Sequence, residues 1–488
     1  MVTSTASQGE GFRGNDRVLF GIILGVITFW LFAQTTLNIA PDMGRDLGLG
    51  ASTMNTAVAI TALFSGIFIV VIGGLADRVG RVRIVRIGFY LSILGSLLVG
   101  LAPAGRWASL SLLTGRALQG LSGACIMPAS LALVKTYWDG AARQRAVSLW
   151  SIGSWGGSGV CALFGGLVTQ SLGWRYIFFA SVVAALLGLA LLRGTPESRG
   201  KDRANYRFDF AGVITFMVAM IALEIVVTQG NKFGWTSLPV LVLIAVTLVT
   251  GALFVRIETR TSAAFVDFSL FSNSTYTGVT VSNFLLNAAA GTLIVSLELV
   301  QLGGNMTAKQ AGMLTLGYAI AIISFIRVGE KLLQRFGARK PMVWGCVITG
   351  LAILFLSPAN LLLRDYRILA IVGYTLYGTG LAFYATPSTD AALANLPEGQ
   401  AGAGSGIYKM ASSLGAAFGV AISAAIFSAL SANPTAVNWL EGVITFDGRQ
   451  DNLAIRQAAI IALAFNAFMV FVAIVSIMLT VPKGKKSF

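Results

Sequence analysis

Residues 73–88 read GGLADRVGRVRIVRIG: one acid, Asp77, and four bases, Arg78, Arg81, Arg83 and Arg86, set between two long apolar runs. A short charged island between runs that are each about 20 residues long reads as a loop joining two membrane-spanning helices. The same alternation continues along the whole chain. Of 488 residues, 56% are hydrophobic and only 11% charged, against about a quarter charged in soluble domains. Mean hydropathy is +0.78. A net charge of +15 invites comparison with nucleic-acid binders, but those gather their bases on one water-facing surface. Here the bases are dispersed among short connections between apolar runs, which excludes that class.

Fourteen spans are expected, at about 18–40, 54–74, 84–103, 107–134, 146–169, 176–192, 208–228, 237–255, 276–300, 309–328, 341–361, 368–393, 403–430 and 457–481. The first is too long for a signal-peptide core and lacks a cleavage pattern, so it is read as a retained helix. With both termini in the cytoplasm, 24 of the 35 bases fall on the inner side, counting Arg86 and Arg327 with their adjoining loops, and nine on the outer. That bias sets the orientation. The chain has no histidine, so proton chemistry falls to carboxylates helped by Arg, Lys or Tyr. Cys125, Cys161 and Cys346 lie inside apolar runs and read as small buried hydrophobes. No metal and no cofactor are expected.

An internal repeat appears in two inner loops. Asp77-Arg78-Val79-Gly80-Arg81-Val82-Arg83 follows the second span, and Gln334-Arg335-Phe336-Gly337-Ala338-Arg339-Lys340 follows the tenth. Sharing R-x-G at a distance of eight spans, they suggest a six-helix bundle, two inserted helices and a second six-helix bundle.

These residues carry a family resemblance. Gly73-x-x-x-Asp77-Arg78-x-Gly80-Arg81 resembles the loop signature of the major facilitator superfamily, and Arg116-x-x-Gln119-Gly120 resembles its proton-linked motif. Gly157 with Gly165-Gly166 resembles the antiporter motif, with Cys161-Ala162 where Gly-Pro is usual. Fourteen spans and a long outer loop resemble the fourteen-helix drug:proton antiporter branch. The strings FWLFAQ (29–34), TALFSG (61–66), ACIMPA (124–129) and WSIGSWGGSG (150–159) are most similar to the staphylococcal Nor-type quinolone and multidrug pumps.

The resemblance implies an all-α polytopic fold of the major facilitator type. Its expected parts are a cytoplasmic tail 1–17, an N-terminal bundle 18–192, a cytoplasmic loop 193–207 and two inserted helices 208–255. A cytoplasmic loop 256–275 follows, then a C-terminal bundle 276–481 with an outer loop 431–456, and a cytoplasmic tail 482–488. It also implies two bundles rocking about a midplane cavity, export of amphipathic drugs driven by protons moving inward, function as a monomer, and residence in a bacterial cytoplasmic membrane. Asp77 would face a helix amino-terminus of the other bundle as a latch, with Gly73 and Gly80 permitting close approach and a tight turn.

A charge at bilayer depth costs several kcal/mol, about 3 on insertion scales, and so marks a candidate site. Arg116, about ten residues into the fourth span, is expected to hold a network with Gln119, Gln34 or a carboxylate. Candidate proton carriers are Glu224 on the seventh span, Glu298 near the outer end of the ninth and Asp390 near the inner end of the twelfth. Asp390 could pair with Lys409 of the thirteenth span. Drug-sized pockets are mostly apolar with a few placed polar groups, and Trp30, Phe32, Gln34, Asn38, Trp155, Asn287, Tyr377 and Tyr384 supply that mixture. Packing is the competing reading for such aromatics and for the glycines of the fifth span. Pro128 is expected to kink the fourth span.

If Thr35 and Asn38 match the first-helix pattern of many relatives, Ala33 stands where those carry an acid. That favours zwitterionic or neutral amphiphiles over strongly cationic ones. Two other functions fit the composition less well. A facilitator dedicated to one metabolite would use the same scaffold, while a polytopic membrane enzyme would need a catalytic constellation that the chain, without His, does not offer.

Overall fold

The computed structural model describes residues 12–200, 209–261, 266, 268–361, 363–432, 434–448 and 452–484. The expected tails 1–17 and 482–488, the inner loops 193–207 and 256–275 and the outer loop 431–456 therefore lie partly outside the described residues. Thirteen helices among those described are long and apolar enough to cross a membrane, and a seventeen-residue apolar helix, Arg175–Leu191, stands at the expected sixth span. Fourteen helical spans in the expected order are thus present.

The helices run further than the apolar runs. The second, Ala51–Val79, has 29 residues, about 43 Å at 1.5 Å per residue, against a hydrocarbon core of about 30 Å. Asp77 and Arg78 consequently lie in its last turn, and Arg81 opens the next helix, Arg81–Gly100. The expected loop shrinks to Gly80, whose φ of +130° is ground that side-chain-bearing residues rarely occupy. Backbone groups away from water must pair within the helix, so the helix continues through charged residues until a glycine lets it break.

Two compact units divide the described chain. The first comprises residues up to Val226, Leu238–Asn273 and Ala392–Met410; the second comprises Val227–Ser237, Ser274–Ala391 and Ala411–Phe488. Within the first, the fourth span, Ala108–Tyr137, is 83% buried over its apolar window, whereas the eighth, Leu238–Glu258, is 6% buried. Small residues on the fourth span let other helices close around it. Leu241, Leu248 and Leu253 on the eighth are exposed, as suits a helix whose surroundings are lipid. Pro128 lies inside an unbroken fourth helix. The first and fifth spans each contain a π-helical segment, Thr28–Ala33 and Ile152–Gly156. Such bulges loosen the hydrogen-bond ladder and often mark functional positions.

The second unit carries a cavity of about 230 Å³ lined by Leu299, Val300, Tyr366, Asn452 and Arg456 among others. It shares no residue with the expected site.

Candidate functional site

Asp77 is 5% exposed. Both of its carboxylate oxygens accept from Gly402 N at 2.9 Å, and one also accepts from Ala403 N at 3.0 Å. These amides open the helix Ala401–Ser431, where N–H groups have no partner in their own helix and the dipole favours an anion. Arg81, itself buried, donates to Asp77 Oδ1 at 2.8–2.9 Å. Its remaining N–H groups reach Thr136 Oγ1 at 2.6 Å, Ser198 Oγ at 3.1 Å and Glu398 O at 2.6 Å. One guanidinium thereby ties the second helix, the fourth helix, the segment at 198 and the turn at 398. Arg78, half-buried, follows Asp77 directly.

Gly73 permits the approach: a Cβ there would stand 2.5 Å from Gly402 O and 3.2 Å from Pro128 Cβ. Gly80 is crowded as well, because a Cβ would fall 2.5 Å from the Glu197 carboxyl carbon. Glu197 accepts from Val82 N at 2.9 Å and Arg83 N at 3.0 Å, capping the third helix as Asp77 caps the one at 401. Sequence reasoning missed Glu197, Ser198, Glu398 and Gly402. No spacing signals them, because they come from segments more than a hundred residues away.

The second copy of the loop is built differently. Gln334 occupies the place of Asp77 and donates to Glu330 Oε1 at 3.2 Å, and Arg327 is ion-paired with the same carboxylate. Glu330 is thus satisfied by its own helix, and Ala338 stands where Arg81 would.

Arg116 is buried, at 1% exposure. Nε donates to Ala57 O at 3.0 Å, and Nη1 to Ala33 O at 2.8 Å and Gln119 Oε1 at 2.7 Å. Gln119 passes the chain on to Ser96 Oγ at 3.1 Å, which lies 3.3 Å from Ser181 Oγ. The expected partner Gln119 is therefore present, while Gln34 and a carboxylate are not among Arg116's partners in the described residues. The π-segment of the first span explains the substitution. Its loosened ladder leaves Ala33 O available to a donor from another helix, and carbonyl dipoles solvate the charge that an acid would have neutralised.

Of the expected pair, Asp390 belongs to the second unit and Lys409 to the first. Asp390 is buried on the twelfth span, Leu363–Ala394. Lys409 makes no ion pair and no hydrogen bond among the described residues. Its ammonium lies 5.5 Å from the centre of the Trp30 ring and 5.1 Å from that of Trp150. Ring faces attract a cation, so two indoles take the place of the carboxylate.

The other expected residues divide between the units. In the first, Phe32 is buried edge-on against Phe164 at 5.5 Å, and Gln34 and Trp155 are half-buried. Asn38 is exposed, with its amide 3.8 Å from Cys161 Sγ. Gly157 and Gly165 pack on the first span, since a Cβ would meet Leu31 N at 3.4 Å in one case and overlap Thr35 Cγ2 in the other, whereas one at Gly166 would meet nothing within 4 Å. Glu224 is buried at 9% exposure. In the second unit, Tyr377 and Tyr384 are fully buried, packed on Tyr318 at 6.0 Å and sharing a hydrogen bond with Ser282 Oγ at 2.8 Å respectively. Asn287 donates to Asn283 O at 2.7 Å. Glu298 is half-buried, directly before a π-segment, Leu299–Gly303.

Known proteins agree with this architecture. The sequence model of the Major Facilitator Superfamily matches residues 22–420 and 278–486. The chain is 46% identical, over 97% of its own length and 97% of theirs, to the quinolone resistance protein NorB of Staphylococcus aureus strains MRSA252 and COL. Among solved structures, the proton:xylose symporter XylE superposes with a TM-score of 0.63 at 15% identity, covering 96% of each chain. A bacterial homologue of the iron transporter ferroportin gives 0.60 at 11%, covering 93% of this chain and 99% of that one. At those identities the superpositions speak for the fold. With the family match spanning nearly the whole chain, and relatives of almost half identity end to end, this multi-pass membrane protein belongs to the major facilitator superfamily.

Proposed function

We propose that the chain is a proton-coupled antiporter that exports amphipathic drugs, including quinolones, dyes and biocides, from the cytoplasm by alternating access. The observation that carries this reading is 46% identity across 97% of both lengths to a quinolone resistance protein. In this reading the protein sits in the bacterial cytoplasmic membrane with both termini inside and works as a monomer. The regions 18–192 and 276–481 are the moving bundles, and 208–255 are inserted helices outside the transport core.

Asp77 on the amides at 402 and 403 is the latch: a contact built from hydrogen bonds to one helix end can form and break as a unit. Arg116 keeps a desolvated charge within reach of the first span, where carbonyls rather than an acid hold it, so its network is sensitive to any shift of that π-segment. Glu224, Glu298 and Asp390 are the candidate proton carriers. The substrate contacts are proposed at Trp30, Phe32, Gln34, Asn38, Trp155, Asn287, Tyr377 and Tyr384.

Uptake of norfloxacin, the neutral dye Nile red and the neutral biocide triclosan into energised everted vesicles, the direction that corresponds to export from the cell, tests the reading. Export of all three, abolished when the proton gradient is collapsed, is the expected outcome. Transport of one compound only would identify a dedicated carrier, and export that survives collapse of the gradient would remove proton coupling.

A further inference from the structure

Lys409 is the buried base that the mechanism above leaves without a task. It is 3% exposed, in the helix Ala401–Ser431, and the described residues offer it neither a carboxylate nor a hydrogen-bond acceptor. Burying an ammonium costs several kcal/mol even after relaxation. The faces of Trp30 and Trp150 return only part of that cost, and they attract the charge without accepting its three N–H bonds in the way an oxygen does. A second donor of the cluster is also unanswered: Trp30 Nε1 is buried with no acceptor. Trp150, by contrast, donates to Ser130 Oγ at 2.9 Å. The two orphan donors, one charged and one neutral, meet at this cluster: Trp30 belongs to the π-segment Thr28–Ala33, and Trp150 stands two residues before the π-segment Ile152–Gly156.

We infer that Lys409 and Trp30 form the subsite for the carboxylate of a planar aromatic acid, with the indoles as walls for its ring system. The inference deepens the export reading and rests on it. Charge-assisted hydrogen bonds from Lys to a carboxylate are about twice as strong as neutral ones, and a carboxylate has the lone pairs to take both donors. The first span supports the assignment from the other direction. Residues 18–40 contain no acid, so that helix offers a substrate no negative counter-charge, while Lys409 offers a positive one.

The test is equilibrium binding to the purified full-length protein of a monoanionic quinolone, nalidixic acid, and of its methyl ester, which keeps the ring and removes the charge. Wild type should bind the acid at least tenfold more tightly than the ester. Lys409→Met should bind acid and ester alike, and Trp30→Phe, which keeps a ring and removes the N–H, should weaken the acid alone by a few fold. Wild-type binding of the two compounds within twofold of each other, or binding of neither, overturns the subsite, and it does so without any variant having to fold. Vesicle export separates this failure from that of the transport reading. Drug and dye export without acid preference in binding sinks the subsite alone, whereas acid preference in a protein that exports nothing sinks the transport reading alone.

Discussion

Asp77 does more than the charge of a connection between two spans requires. The arginines around it would satisfy the orientation bias wherever they stood, but Asp77 neutralises Arg81 and caps a helix end at the same time. Asparagine would keep the shape, lose the charge and present an amide to donors that need an acceptor. Removing one partner of a buried ion pair typically costs about 3–5 kcal/mol. Asp77→Asn should still insert in the membrane but, at equal protein in the vesicles, lose more than tenfold of its drug transport; transport at the wild-type rate would leave the residue a topological marker. The aspartate stood out through its resemblance to the family's loop signature, whereas its pairing with Arg81 appears only in the fold. Glu197 and Gly402 were not legible, because a cap supplied from a distant segment leaves no periodic trace. Lys409 was read as half of a salt bridge, and the fold sets it beside two tryptophans.

Between helices, packing decides which glycines matter. A run of small residues on the fifth span predicts close approach somewhere, but it does not tell which residue faces the neighbour. Gly165 is pressed onto Thr35 of the first span, while Gly166, one residue on, has open space. Overpacking costs about 1–3 kcal/mol, and alanine in an unobstructed helical site gains up to about 1 kcal/mol over glycine. Thermal unfolding in detergent should thus move in opposite directions: down for Gly165→Ala, unchanged or up for Gly166→Ala. Equal destabilisation by both would mean that the first and fifth spans do not meet along this face. The two π-segments belong to the same scale. No apolar period announces them, since a single inserted residue barely disturbs a pattern already hydrophobic all round, yet one of them frees Ala33 O for Arg116.

Across the molecule, the proposed work is the coupling of a proton to a substrate, and three acids on three spans are its candidates. Glutamine at 224 or 298, or asparagine at 390, removes the proton and keeps the shape. Energised export should fail in at least one of Glu224→Gln, Glu298→Gln and Asp390→Asn, with exchange of substrate at equal concentrations on both sides retained, because exchange needs the carrier to move and the proton to stay. Full proton-driven export by all three would return the role to groups outside this set. The division of the chain also belongs to this scale. Residues Ala392–Met410 pack with the first unit although the sequence joins them to the second, and it is this segment that supplies both the amides for Asp77 and the ammonium of Lys409.

By itself the sequence determined the solvent, the fourteen spans and the family motifs, because hydropathy over 20 residues is a property of consecutive positions and lipid enforces it on every helix separately. Tertiary structure alone decided the partners. Whether Arg116 meets an acid or a carbonyl, whether Lys409 lies beside indoles, and which glycine touches a neighbour all depend on how the helices are rotated and bulged. Those rotations are settled by van der Waals contact and hydrogen bonding between residues far apart in the chain, in a membrane where hydrophobicity no longer distinguishes one helical face from another.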